Sequence, residues 1–184
     1  MTEPKSSVNG TDEREAHPKF WIAAYTRPRS EKKAASELRK SGIETYVPVQ
    51  KQLRLWSDRK KLIDVVIIPM VIFAYVSMDD ILTIKRNPLI IKILSFPGQK
   101  MPAHIPTIQI ENLKLMLAQY EEKVEFLQGN FSAKDKVIVV NGSLRGLIGE
   151  VKEVNNDTTT VWVAVDILGG TIIKLENRIL KHYE

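Results

Sequence analysis

Cations are the one class of reactive side chain that this sequence concentrates. Arg27, Arg29, Lys32, Lys33, Arg39, Lys40, Lys51, Arg54, Arg59, Lys60 and Lys61 crowd into one stretch with few acids between them. Such a run gives a sequence-independent, salt-sensitive grip on nucleic acid, or it faces an acidic protein surface. Left unengaged, the same run is a solvated, solubilising face. Arg27, Arg29, Arg59, Lys60 and Lys61 carry the chemistry for phosphate contacts. Trp56 sits among charges rather than in an apolar run, so its ring either stacks on a base or caps the end of a sheet.

The inventory for catalysis is thin. His17, His104 and His182 lie in a polar N-terminal segment, a proline-rich link and the C-terminus. They are accompanied by no cysteine, phosphate loop or Gly-x-Ser-x-Gly elbow. Without cysteine, disulfides and thiolate metal sites are excluded. Asp79-Asp80 and Glu121-Glu122 carry the charge to hold a cation, but adjacent acids at helix ends read first as helix-dipole partners or solvated charge. The chain is therefore expected to be no enzyme and to use no metal or cofactor. The longest apolar run, Val65–Val76, is broken by Pro69 and falls short of the ~20 residues that cross a bilayer. Met1–Pro18 is polar and lacks the apolar core of a signal peptide, so a disordered tail on a cytosolic protein with no membrane partner is expected.

The elements that must position the cations follow from pattern. Phe20–Tyr25 is an apolar run of strand length, and Thr26-Arg27-Pro28-Arg29 interrupts it. Ser30 is placed as N-cap of a helix, with Glu31 in its first turn and Ala34 and Leu38 on its core face; Ser41-Gly42 supplies the stop. Ile43–Val49 reads as an edge strand because of Pro48. Lys51–Lys61 reads as a charged hairpin turning at Ser57-Asp58, and Leu62–Val76 as a strand kinked at Pro69. A short helix over Asp80–Arg86, a strand over Leu89–Leu94 and a helix with Ile110, Leu113, Leu117 and Tyr120 on one face, running to about Glu122, complete an antiparallel sheet flanked by helices.

After Glu125 the pattern becomes short-stranded. Phe126–Ala133 reads as a polar link, Lys136–Val140 as a strand, and Asn141-Gly142 as a hairpin turn. Strands over Val151–Val154, Thr158–Val165 and Thr171–Leu175 follow, with Gly142, Gly146 and Gly149 permitting turns and close approaches. These short strands fit a small closed barrel. The expected organisation is a tail (1–18), an α+β domain (19–123), a linker (124–132) and a small SH3-like β-barrel (133–184).

Two groups of residues together resemble one family. Lys134–Val151, KDKVIVVNGSLRGLIGEV, resembles the KOW motif. Phe20-Trp21, Tyr25–Arg29, Glu31–Lys33, Tyr46–Pro48, Trp56–Lys61 and Pro69 with Phe73 resemble the NusG N-terminal domain, most closely in antitermination factors of the UpxY type linked to capsular polysaccharide operons. The resemblance implies a transcription elongation factor. Its first domain docks on the β′ clamp helices of RNA polymerase, reaches toward the β jaw, and meets upstream or non-template DNA. On that resemblance Tyr25, Val71 and Phe73 line the polymerase-binding patch and Thr83 falls near the jaw contact. The resemblance also places Ile167 and Leu168 in a barrel loop that takes a small-subunit ribosomal protein or Rho. A monomer is expected. The competing reading is a KOW-containing RNA- or ribosome-binding protein that acts without polymerase.

Overall fold

The computed structural model describes residues 17–55, 59–120, 126–128 and 135–183. The expected tail lies outside these residues except for His17 and Pro18, and so does the hairpin tip at 56–58. The first layer is a four-stranded antiparallel sheet ordered β2-β5-β1-β6, from β1 (Phe20–Thr26), β2 (Glu44–Tyr46), β5 (Val71–Val76) and β6 (Ile90–Ile93). Among the described residues, strands β3 (Val49–Leu55) and β4 (Lys60–Val66) pair only with each other, as a separate two-stranded ribbon. The kink expected at Pro69 is a full break between β4 and β5.

Alternation along β1 divides the sheet's two faces. Ile22 and Ala24 face α1 (Glu31–Lys40) and α2 (Asp80–Arg86), packing with Ala34, Ala35, Leu38, Ile81 and Ile84. Trp21, Ala23 and Tyr25 face the other way, toward Ile110, Leu113, Met116 and Leu117 of α3 (Thr107–Gln119). Each large aliphatic side chain fully buried here contributes about 1.5–3 kcal/mol. Helix α2 starts where Asp80 Oδ2 accepts from Ser77 N–H at 2.8 Å and Ser77 Oγ–H at 2.9 Å. It stops at Asn87-Pro88, as the proline requires. Helix α3 ends at Gln119, short of the expected Glu122, with Tyr120 already extended.

The second sheet contains six strands in the order β12-β8-β9-β10-β11-β7. These are β7 (Phe126–Gln128), β8 (Lys136–Val139), β9 (Ile148–Val154), β10 (Thr158–Val165), β11 (Gly169–Glu176) and β12 (Leu180–His182). The expected linker thus contains a strand, β7, which pairs with Gly169–Thr171 of β11. Among the described residues the order is linear, with no pairing between the end strands β12 and β7 to close a barrel. The fold class is mixed α+β with antiparallel sheets.

Asn141-Gly142 does not make a two-residue hairpin. The chain loops from Val140 to Leu147 and is closed by Val139 N–H to Leu147 O (2.9 Å) and Gly146 N–H to Val139 O (2.8 Å). The longer loop turns Leu144 and Leu147 into the core, where both are buried. Gly149 fits the expectation of a close approach: a Cβ there would stand 2.9 Å from Trp162 O and 2.3 Å from Val161 Cγ1. Gly170 is tighter still, at 2.3 Å from Val163 O.

Candidate functional site

The basic turn after β1 is held from several sides. Ser30 N–H donates to Arg27 O at 3.1 Å, closing a turn over Pro28 and Arg29. Arg29 takes φ +58, a left-handed backbone that favours glycine, and its side chain is exposed. Arg27 is an anchor as well as a charge: its N–H donates to Leu89 O at 2.9 Å and its Nε–H to Pro88 O at 3.0 Å, tying the turn to the link before β6. Ser30 occupies the N-cap position without a side-chain cap; its hydroxyl turns back to Pro28 O.

Glu31 reaches beyond its own helix end. Its side chain is buried, and Oε1 accepts Met70 N–H at 2.7 Å. Met70 takes φ +62, and its carbonyl accepts Thr26 N–H at 2.8 Å. The Pro69-Met70 turn that launches β5 is therefore clasped by β1 on one side and by a carboxylate of α1 on the other. No local pattern signals this contact, which spans 39 residues.

The ribbon β3–β4 stands beside this clasp. Lys32 Nζ on α1 meets Asp64 Oδ2 on β4 at 3.1 Å, so one cation of the run is neutralised at the ribbon's base. Arg59, Lys60 and Lys61 are exposed toward the tip. Trp56 lies outside the described residues. Glu31 and Lys32, which follow the basic turn, thus tie the start of α1 to the Pro69-Met70 turn and to the base of the ribbon, while Arg27 is held at the link before β6.

The apolar candidates divide. Tyr25 and Val71 are cross-strand neighbours, and Lys92 Nζ lies 5.4 Å from the Tyr25 ring centroid. Tyr25 is half-buried, whereas Val71 is 1% and Phe73 0% exposed. Phe73 packs near Tyr46 at a centroid separation of 6.1 Å. Burial raises the Tyr46 phenol well above its ordinary pKa. Thr83 is exposed on α2 and belongs to the opposite layer from Tyr25, Val71 and Phe73.

Helix α3 joins the two sheets. One apolar cluster runs from the Trp21–Phe73 face through α3 into Val139, Val161, Val163 and Val165. On this helix Asn112, 8% exposed, donates through Nδ2 to Ile148 O at 2.8 Å and accepts Ile148 N–H through Oδ1 at 3.2 Å. One turn earlier Gln109 Oε1 accepts Asp166 N–H at 3.1 Å. Between these contacts lies a cleft of about 260 Å³ lined by Gln109, Asn112, Ile148, Trp162 and Asp166. Asp166 adjoins Ile167 and Leu168, both half-buried. The expected partner loop of the second unit therefore sits against α3. Asn112 and Gln109 were not legible in sequence as an interface pair. Among the described residues no group of three or more histidines and acids is placed to hold a metal ion.

A family model described as "Transcription termination factor nusG" matches residues 19–114. Among solved structures, "Domain interaction in Thermotoga maritima NusG" has 20% identity, covers 90% of this chain and 98% of its own, and gives a TM-score of 0.50, a likeness of fold. "Crystal Structure of MjSpt4:Spt5 complex conformation B" has 18% identity, covers 90% and 97%, and gives a TM-score of 0.32. Conformation A of the same complex has 16% identity, covers 90% and 99%, and gives 0.28. No curated protein matches the sequence. With more than half its length matched, from the strand before the basic turn to the middle of α3, the chain belongs to the NusG family.

Proposed function

We propose that this chain is a specialised elongation and antitermination factor of the UpxY type, acting on polysaccharide operons. In this reading residues 19–123 form the polymerase-binding domain and residues 133–184 a KOW domain. The first domain binds the β′ clamp helices of RNA polymerase near Tyr25, reaches the β jaw near Thr83, and holds upstream or non-template DNA through Arg27, Arg29, Trp56, Arg59, Lys60 and Lys61. The observation that carries the reading is that α1, which starts directly after the basic turn, is tied to the base of the basic ribbon by the Lys32–Asp64 contact. Tyr25 lies near the end of β1, just before the basic turn.

Val71 and Phe73 are covered, so they serve polymerase only after their cover moves; Tyr25 is the residue that makes first contact. Ile167 and Leu168 lie against α3 in the same arrangement, and a ribosomal protein or Rho reaches them once that contact opens. Family membership supports the transcription role over a polymerase-independent RNA-binding role.

The test uses purified polymerase and the full chain on a leader-containing template. Co-purification with polymerase and longer read-through of terminators are expected, with Tyr25→Ala reducing both. Tight binding to RNA alone, with elongation unchanged, refutes the proposal.

A further inference from the structure

The cross-strand register of the ribbon places Arg54 directly opposite Lys61, with Leu55 opposite Lys60. Side chains at directly opposed positions start about 4.5–5.5 Å apart, and like charges there repel. Among the described residues, no carboxylate pairs with Arg54, Lys60 or Lys61. This contrasts with the next cation inward, where Lys51 stands opposite the acidic Asp64. The leucines of the other face, Leu53, Leu55 and Leu62, are 62%, 76% and 57% exposed, so the outer ribbon has little cover among the described residues. A fully paired ribbon holding two cations side by side, with no counter-charge among the described residues, has the geometry to receive an external anion between them.

We propose that Arg54 and Lys61 form a two-pronged grip on a nucleic-acid phosphodiester. The guanidinium supplies paired donors in a plane and the ammonium a compact charge, a combination suited to a phosphate's tetrahedral oxygens. The proposal rests on the nucleic-acid part of the function proposed above and extends it to Arg54, which that reading does not use. The grip belongs to the ribbon and works independently of the Arg27–Arg29 turn. A two-stranded ribbon also fits the major groove of a duplex, so duplex DNA, single-stranded DNA and RNA are separate arms of the test.

Full-length protein, the Arg54→Gln/Lys61→Gln variant and the Arg27→Gln/Arg29→Gln variant are titrated against a short fluorescein-labelled duplex, its single strand and the matching RNA across a salt series. Loss of the one phosphate held by the pair lowers the slope of log affinity against log salt by about 0.9 on duplex and about 0.7 on single strands. The arm with that change identifies the nucleic acid held. The ribbon variant is also expected to unfold at or above the wild-type temperature, since it removes repulsion. A lower unfolding temperature makes the pair structural and overturns the proposal. So does an unchanged slope in every arm, or an equal loss of binding to poly-glutamate, which has no phosphate. If the turn variant alone loses affinity, the ribbon grip is wrong and the broader nucleic-acid reading stands. If wild-type protein binds none of the three at low salt, both fail, with polymerase co-purification scored separately.

Discussion

Replacing Asn112 by alanine tests whether the contact between α3 and the second sheet is specific. The side-chain amide meets both backbone groups of Ile148, at 2.8 Å and 3.2 Å, from a position only 8% exposed. Each such hydrogen bond is worth a net ~0.5–1.5 kcal/mol, and a backbone group left buried without a partner costs ~1–3 kcal/mol. Alanine is therefore expected to destabilise the closed contact by about 2–4 kcal/mol, or about 30- to 700-fold in the closed-to-open ratio. Alanine is also the better helix former, by up to ~0.7 kcal/mol, so α3 itself is not weakened. Amide hydrogen exchange on full-length protein reads the result. Exchange at Ile148 and at Asp166, which loses its Gln109 acceptor on opening, accelerates together, while Ile22 and Ile72 in the first core keep their protection. Asn112→Asp, able to accept from Ile148 N–H but not to donate to its carbonyl, gives a similar effect. Unchanged exchange at both amides in both variants, with an unchanged radius in solution scattering, refutes the reasoning.

Glu31→Gln leaves the Met70 N–H an acceptor but removes its charge, and Glu31→Ala removes it entirely. Charge-assisted bonds of this kind are worth ~1.5–3 kcal/mol, so chemical denaturation should show a small loss for glutamine and a loss of about 2 kcal/mol for alanine. Equal stability of all three proteins excludes the clasp. Tyr46, whose phenol is raised by burial, stabilises the fold fully below its unfolded pKa near 10. That contribution falls as pH rises through 10, because the unfolded chain then loses the proton more readily than the folded one. Thermal unfolding of Tyr46→Phe between pH 9 and about 11 is expected to decline less steeply than wild type, and parallel curves refute the assignment.

The parts of the fold legible in the sequence were those with local causes. The apolar run of β1, the i, i+4 stripe of Ala34 and Leu38, the Asn87-Pro88 stop and the charged hairpin all rest on neighbours within a few residues. The illegible parts rest on single side chains meeting distant backbone. Glu31 finds Met70 39 residues away and Asn112 finds Ile148 36 residues away, and neither leaves a periodic trace. Strand β7 was hidden because three residues give too short a pattern to separate from a polar link. Asn141-Gly142 misled because the hairpin rule is local, whereas burial of Leu144 and Leu147 favoured the longer loop. At the candidate site the charges were visible, but the covering of Phe73 and the anchoring of Arg27 by Pro88 depend on tertiary packing that residue types alone do not encode.

The return of the chain into strand at Phe126, soon after α3 ends at Gln119, sets the length of the leash between the two units. Its reach is about 25 Å at full extension. A tether this short holds the facing surfaces at an effective concentration in the millimolar range. A contact with a free dissociation constant as weak as ~0.1 mM then stays engaged about nine times in ten. Its release needs only ~1.4 kcal/mol from a competitor. A leash this short would keep even a weak contact engaged while leaving it open to competition.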